Sequence, residues 1–211
     1  MKGLILSSFY ASKKSLITYL IVAIVASFLF AFINPTMACF LPMIFLLSPV
    51  TDNLKREKDS KWMYYISTLP THRSAYIKSY FAFYGILIFI GLIIGLIAVL
   101  AIHQNLMLTL ISGLVGIGAA GTYAIMFPLT FKFGPENSNV IMISTSVIVL
   151  ILFFITYFGV IMSAIVRSGS FSDLGTNPTD ILFISLYAIL GLICLVASYF
   201  ISIAIFNKQE L

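Results

Sequence analysis

The chain contains few charged residues. Only 9% of its 211 residues are Asp, Glu, Lys or Arg, whereas 61% are hydrophobic, and its mean hydropathy is +1.09. Because so little charge cannot cover the surface of a water-soluble domain, the composition excludes one and indicates a membrane protein. The formal net charge is +5, but the basic residues lie in short connectors between apolar runs. Their placement therefore indicates membrane topology rather than nucleic-acid binding.

Patterns typical of metal sites and catalytic centres are missing as well. Cys39 and Cys194 both fall in apolar stretches, at a spacing that supports neither a disulfide framework nor a zinc site, so we expect buried, inert thiols. His72 and His103 lack Cys, Asp or Glu at ligand spacing, and we expect both to be solvated loop residues. No serine lies in a Gly-x-Ser-x-Gly element, which disfavours an intramembrane hydrolase.

The sequence also lacks an energy source for active transport. Residues 79–131, 140–166 and 181–206 contain no Asp, Glu, Lys or Arg, whereas proton-coupled carriers generally require an ionisable relay near the bilayer midplane. No Gly-Lys dipeptide occurs, so the phosphate-binding loop of many ATPases is absent. If this chain takes part in active transport, we expect a separate subunit to supply the energy.

Six apolar runs predict an all-α, polytopic membrane protein that forms a single transmembrane domain over residues 1–211. Five runs approach or exceed the roughly 20 residues needed to cross the hydrocarbon. The remaining run, residues 37–50, has 14 residues and contains Pro42 and Pro49, so by itself it also fits a re-entrant segment. The predicted spans are Ser15–Ile33, Met37–Val50, Ser79–Ile102, Leu106–Phe131, Val140–Val166 and Ile181–Phe206.

The basic residues favour a crossing by residues 37–50. Lys and Arg accumulate on the cytoplasmic side of a membrane, and two basic groups lie on either side of the first two runs, in residues 2–14 and 55–78. Both groups share one side only if residues 37–50 cross. Six crossings then place 11 of the 12 basic residues on one side. We therefore expect both termini in the cytoplasm.

The first 33 residues also fit a secretory signal peptide in outline. Their apolar stretch is long for a signal, no persuasive Ala-x-Ala site follows it, and a second apolar run begins almost at once, so a span is favoured. Residues 1–14 mix large apolar side chains with lysines and serines. This mixture predicts an N-terminal helix lying in the membrane interface, with a frayed terminus as the alternative.

Glycines in the third and fourth spans predict close helix packing. Gly116–Gly121 matches the dinucleotide-binding pattern G-x-G-x-x-G, but that pattern has meaning only between a strand and a helix, and here it lies within a span. Together with Gly113, and with Gly91 and Gly95 in the preceding span, it predicts small-residue faces that let helices approach. Local kinking at Gly or Pro128 is the alternative.

The connector Thr51–Lys78 is the only substantial charged segment. Asp59 or Ser60 suits the cap of a short helix that Pro70 would end. Large apolar side chains recur at helical spacing between them, at Trp62, Tyr65, Ile66 and Leu69. A helix of about two turns is unstable alone in water. We therefore expect its apolar face to pack on the membrane surface or on a soluble partner.

This connector resembles that of the ABC-2 type permeases, in particular their small six-span bacterial branch. That branch carries an acidic stretch, a Trp, a Leu-Pro-x-x-Arg element and an apolar-basic-aromatic tail. The matching positions here are Glu57, Asp59, Trp62, Tyr65, Leu69–Arg73 and Tyr76–Lys78. The resemblance implies a bacterial cell-membrane protein in which two permease copies assemble with two cytoplasmic ATPase subunits. Those ATPases, and not this chain, would bind ATP and Mg and hydrolyse the nucleotide.

The resemblance also implies roles for connector residues. The short helix would act as a coupling helix seated in a groove of the ATPase. Trp62, Tyr65, Ile66 and Leu69 would fill that groove. Glu57, Asp59 and Arg73 would make contacts at its rim.

The leading hypothesis is therefore the permease subunit of an ATP-driven exporter that works by alternating access. By length and N-terminal character the chain is similar to permeases that export phenol-soluble modulins, which are amphipathic peptides. An amphipathic or hydrophobic cargo also suits spans with almost no polar lining. The alternative is a non-transporting membrane anchor or immunity protein that sequesters a toxic peptide. Co-purification of an ATPase would favour the exporter.

Overall fold

The computed structural model describes residues 2–59, 62, 65, 73–171, 174–175 and 177–208. Within these residues the protein is helical and contains no strand. Six helices are long and apolar enough to cross a membrane, as the fold prediction expected. They are Gly3–Ile33, Pro35–Leu54, Ser74–His103, Leu106–Phe133, Ser138–Ser168 and Pro178–Lys208.

Breaks divide several of these spans into shorter helices, which we number in chain order. The α-helices are α1 (Lys2–Ile33), α2 (Met37–Phe45), α3 (Ser48–Asp59), α4 (Arg73–His103), α5 (Leu106–Tyr123), α6 (Met126–Phe133), α7 (Ser138–Thr156), α8 (Ser163–Ser168) and α9 (Pro178–Lys208). A 3-10 turn, Pro135–Asn137, precedes α7, and a π-helical segment, Tyr157–Met162, joins α7 to α8.

Helix α1 differs from the expected separate N-terminal element. It runs without interruption from Lys2 to Ile33, so residues 2–14 and the first span form one helix. The chain contains no proline before Pro35 that would break the hydrogen-bond ladder. The hydroxyls of two early serines donate to carbonyls one turn back, from Ser8 to Leu4 at 3.1 Å and from Ser12 to Ser8 at 2.7 Å. Their polar groups are therefore satisfied within the helix.

Two prolines explain the breaks in the second and fourth spans. A proline clashes with the carbonyl four residues earlier and donates no backbone hydrogen bond. Pro49 therefore disfavours a continuous helix through Phe45, where α2 ends. Pro128 acts in the same way on Ala124, immediately after the end of α5. The span is thus interrupted near Pro128, where the alternative of local kinking placed a distortion, whereas α5 is continuous through all of its glycines.

The second span is longer than its apolar run. The run at residues 37–50 continues as helix α3 to Asp59, so that the first nine residues of the predicted connector are helical. Helix α4 begins at Arg73 and takes in the last six. The spanning segment Pro35–Leu54 lies largely inside the bundle. Its short apolar length therefore suits a helix that is surrounded by protein rather than by lipid.

Helix α5 and the second span form the centre of the bundle. Leu106–Phe133 and Pro35–Leu54 are the two most buried spans, whereas the other four expose most of their apolar surface. Helix α5 packs against α2, α4 and α9. The exposed apolar side chains of α1, α4, α7 and α9 form the outer face of the bundle. Such a face suits contact with lipid tails.

The predicted packing glycines lie at helix contacts within this chain. A Cβ added at Gly91 would lie 3.0 Å from Cα of Met43, and one at Gly95 would lie 2.6 Å from Cα of Cys39. Gly116 also faces Met43 and Cys39, and Gly113 faces Leu96. Gly121 lies directly against the backbone of Gly191 in α9. At these contacts a larger side chain would hold the helices apart.

The end of the bundle that contains residues 31–36 and 103–105 is held by polar contacts. Nε2 of His103 lies 2.7 Å from the carbonyl oxygen of Ala31. His103 therefore joins α4 to α1 and is more than the solvated loop residue that we expected. Nδ2 of Asn34 donates to the hydroxyl of Tyr157 at 2.6 Å, beside the π-helical segment. We call this region the turn end.

Candidate functional site

The opposite end of the bundle, which we call the connector end, contains the C-terminal half of α3, the start of α4 and residues 2–16 of α1. Helix α3 carries several polar residues and is joined to α1 by side-chain hydrogen bonds. Ser15 Oγ donates to Asp52 Oδ2 at 2.7 Å, Asn53 Nδ2 to the Ser8 carbonyl at 3.0 Å, and Arg56 Nη1 to the Ala11 carbonyl at 2.5 Å. These bonds fix the helical first part of the connector on α1.

Glu57 makes a different contact from the rim contact implied by the resemblance. Its carboxylate accepts a hydrogen bond from the Tyr76 hydroxyl of α4, and the Tyr80 hydroxyl faces the same carboxyl group. Burial raises the pKa of Glu57 to about 7, while the hydrogen bond from Tyr76 opposes this shift. The carboxyl group thus joins α3 to α4 inside the protein.

Tyr76 belongs to a buried aromatic cluster that reaches three helices. Its ring centroid lies 5.1 Å from that of Tyr80 in α4, 6.2 Å from that of Phe131 in α6 and 5.5 Å from that of Phe206 in α9. All four side chains are almost completely buried. Aromatic rings in such edge and tilted arrangements pack densely and resist displacement. The cluster therefore connects the start of α4 with α6 and α9.

Trp62 and Tyr65 lie next to each other but face different surroundings. Their ring centroids are 5.3 Å apart. Trp62 is partly buried and packs against the hydrophobic core, whereas the Tyr65 side chain is 55% exposed. The structure thus places one aromatic of the predicted coupling helix against the bundle and the other at its surface.

Trp62 also lines an open cavity of about 220 Å³ between α1 and α3. Its lining consists of Ser7, Ser8, Ala11, Asn53, Arg56, Glu57 and Trp62. The cavity therefore brings together two residues that the sequence singled out, Glu57 and Trp62, with polar groups of α1 that it did not. Space beside a partly buried aromatic permits this side chain to shift without unfolding the helices around it.

Some of the predicted coupling residues lie outside the described part of the protein. Ile66 and Leu69 are among them. Asp59 ends α3 and Arg73 begins α4, but their side chains are not among those described. The proposed groove and rim roles of these four residues stay predictions.

The contact between Glu57 and Tyr76 could not be predicted from sequence spacing. The two residues are 19 positions apart on different helices, and no local period relates them. The only signal was their membership of the same motif, in which Glu57 belongs to the acidic stretch and Tyr76 to the aromatic tail. Arg56 and Asn53 carried no signal, because their partners are backbone carbonyls of α1.

A second cavity near this end is wholly apolar. It has a volume of about 330 Å³ and lies between residues 5–16 of α1 and residues 83–90 of α4. Its lining consists of Ile5, Leu6, Phe9, Leu16, Phe83, Ile86, Leu87 and Ile90. Leu6, Phe9 and Ile86 are exposed on the outer face of the bundle. The groove is therefore accessible from the side that faces lipid.

No cluster suited to a metal ion occurs among the described residues.

The six apolar helices define a multi-pass membrane protein. The chain matches the family model for ABC-2 family transporter proteins over residues 3–207. It belongs to that family, and it is accordingly a membrane permease of the ABC transporter class, whose members work with separate ATPase partners. No curated protein and no solved structure matches the chain significantly.

Proposed function

We propose that this chain is the permease subunit of an ATP-driven exporter of amphipathic peptides, of which phenol-soluble modulins are an example. Two copies would assemble with two ATPase subunits that bind ATP and Mg. The connector end would face the cytoplasm of a bacterial cell, with both termini on that side. The basic residues support this orientation, because 11 of 12 fall on one side of a six-span protein.

The observation that carries the coupling role is the arrangement of Trp62 and Tyr65. Trp62 holds the connector on the bundle, while Tyr65 is exposed beside it. Large aromatic side chains often contribute most of the energy of an interface. We infer that Tyr65, with Ile66 and Leu69, enters the ATPase groove and that Trp62 passes its displacement to α1 and α3. Asp59 and Arg73 would then make the contacts at the rim of the ATPase groove, because Glu57 contacts Tyr76 instead.

The apolar groove between α1 and α4 supports the proposed cargo. All eight of its lining residues are apolar, so it offers no partner for the polar groups of a sugar or an ion. An amphipathic peptide that lies in the leaflet would meet the groove with its apolar face. Entry from the membrane would also avoid the polar lining that a water-filled pore requires.

Reconstitution tests this function. The permease would be purified with candidate ATPases and placed in liposomes, and ATP hydrolysis and peptide release would be measured with added amphipathic peptide. We expect peptide to stimulate hydrolysis and to be transported, and Tyr65→Ala to abolish both. Peptide binding without any ATPase partner would instead indicate a sequestering anchor. Stimulation by sugars, but not by peptides, would contradict the proposed cargo.

A further inference from the structure

We propose that Glu57 and Tyr76 form a clasp between the two ends of the connector, and that this clasp carries movement of the connector into α6 and α9. The proposal rests on the function proposed above, because it assumes that an ATPase displaces the connector. It assigns positioning roles to these two residues, which would act through the helices that they join.

The position of the clasp in the chain is the first argument. Glu57 lies two residues before the end of α3, and Tyr76 lies three residues after the start of α4. Their side chains therefore join the two helices that contain the ends of the connector. A force on the connector would act on both helices, and the hydrogen bond makes them respond together.

The packing around Tyr76 is the second argument. Its ring contacts Phe131 of α6 and Phe206 of α9, and those two rings also contact each other at 5.7 Å. Densely packed side chains transmit displacement instead of absorbing it. Among the described side chains of α3, the other hydrogen bonds to a different helix lead to α1. The clasp is therefore a polar contact that connects α3, through Tyr76, with the rings of α6 and α9.

The charge of Glu57 makes the clasp sensitive to pH. With its pKa raised by burial to about 7, the carboxyl group changes its ionisation near neutral pH. The ionised form accepts a stronger hydrogen bond than the protonated form. Transmission is therefore expected to be strongest above pH 7 and to weaken as the pH falls below it.

The charged and titratable groups near Glu57 are few among the described residues. Helix α4 contributes Tyr76 and Tyr80, α3 itself contributes Arg56, and the 3-10 turn that packs against α3 carries Glu136. The cavity wall from α1 consists of Ser7, Ser8 and Ala11, which do not titrate in this range. Among the described residues, a pH response near 7 is therefore assigned to Glu57.

The functional test compares Glu57→Gln and Tyr76→Phe with Tyr84→Phe in the complete complex. Tyr84 is also a buried tyrosine of α4, and its hydroxyl donates to the Ala120 carbonyl of α5, so it controls for the loss of a tyrosine hydroxyl. We expect both clasp variants to bind the ATPase normally but to transport about tenfold less peptide per ATP, the scale expected for losing a hydrogen bond to a charged group. Tyr84→Phe should keep the wild-type ratio.

The pH profile separates a positioning role from a merely structural one. In the wild type, transport per ATP should fall from pH 8 to pH 6, whereas in Glu57→Gln it should be low and constant. The double variant Glu57→Gln/Tyr76→Phe should be no worse than either single variant. Normal transport per ATP in Glu57→Gln and Tyr76→Phe would overturn the clasp.

A fluorescence titration tests the clasp without the ATPase. Trp62 is the only tryptophan in the chain, and it shares a cavity with Glu57. Its emission in the purified permease should change with a midpoint near pH 7, and Glu57→Gln should abolish the change while Tyr84→Phe preserves it. If no ATPase binds the permease, the proposed function is wrong. The clasp then fails as well if Tyr76→Phe leaves the titration of Trp62 unaltered.

Discussion

Helix α5 at the centre of the bundle and helix α3 at the connector end contact their neighbours in different ways. Helix α5 lies against α2 and α9 through glycines. Helix α3 is joined to its neighbours by side-chain hydrogen bonds and borders a cavity of about 220 Å³. Backbone contacts of the first kind leave no space for adjustment. The hydrogen bonds from α3 to α1 lie beside this cavity, which leaves their side chains space to shift. The comparison indicates a rigid centre and a deformable contact between α1 and α3, as a protein driven from its connector would require.

The largest effect on stability is expected from a larger side chain at the contact between Gly121 of α5 and Gly191 of α9. In Gly121→Leu the new side chain would collide with the backbone of Gly191, and we expect a loss of about 3 kcal/mol or of folded protein altogether. The matched control is Gly85→Leu in α4, where nothing lies within 4 Å of an added Cβ. Thermal unfolding in detergent measures both variants. Equal unfolding temperatures would show that the centre is not rigid.

A smaller effect is expected from the two connector aromatics, and it should differ between them. Tyr65→Ala should weaken ATPase binding by about 30-fold, which corresponds to an anchor of about 2 kcal/mol, with no change in thermal stability. Trp62→Ala should lower both the affinity for the ATPase and the thermal stability, because Trp62 also packs against the core. Affinity and unfolding temperature, measured side by side, check the difference. Normal ATPase binding by both variants would contradict the coupling role.

The ion pair that joins α8 to α9 should contribute less. Arg167 Nη2 lies 2.7 Å from Asp180 Oδ1, but the arginine side chain is 53% exposed. Solvent screens such a pair, so Arg167→Ala should cost about 1 kcal/mol or less. High salt should reduce this difference in unfolding temperature. A loss as large as that of Gly121→Leu would mean that this ion pair stabilises the fold as much as the central helix contact does.

A comparably small effect on stability is expected from Glu57, and its sign is opposite to its effect on transport. Because burial raises its pKa from 4.5 to about 7, the folded protein binds this proton more tightly, and stability from this group is lost as pH rises through that interval. Glu57→Gln should therefore raise the unfolding temperature at pH 8 by roughly 2–4 °C, the shift for about 1 kcal/mol in a chain of this length. The difference should disappear near pH 4.

Periodicity and charge predicted the all-helical fold because apolar length is a property of each span by itself. The second apolar run was the most difficult span to predict, because its 14 residues are fewer than a membrane crossing normally needs. Its crossing followed from the basic residues on either side, and the structure has a 20-residue spanning segment there, Pro35–Leu54. The continuity of α1 and the extension of α3 to Asp59 were missed, since charged residues are as compatible with a helix as with a loop.

The site was less predictable than the fold. Spacing identified Trp62 and Tyr65 as one face of a helix, but it could not show that only Tyr65 is exposed, because burial depends on α1 and α3. The hydrogen bond from Tyr76 to Glu57 joins residues 19 positions apart. Such contacts depend on the packing of whole helices, which a single sequence does not specify.

The most direct test of the proposed coupling is cross-linking between the connector end of the permease and its ATPase in intact membranes. A single cysteine at Tyr65, exposed at the connector end, is compared with one at Gln104, exposed at the turn end. We expect Tyr65→Cys to cross-link to the ATPase, and Gln104→Cys to be labelled from outside the cell instead. Cross-linking of the ATPase to Gln104→Cys, or external labelling of Tyr65→Cys, would contradict the assignment of the connector end to the ATPase.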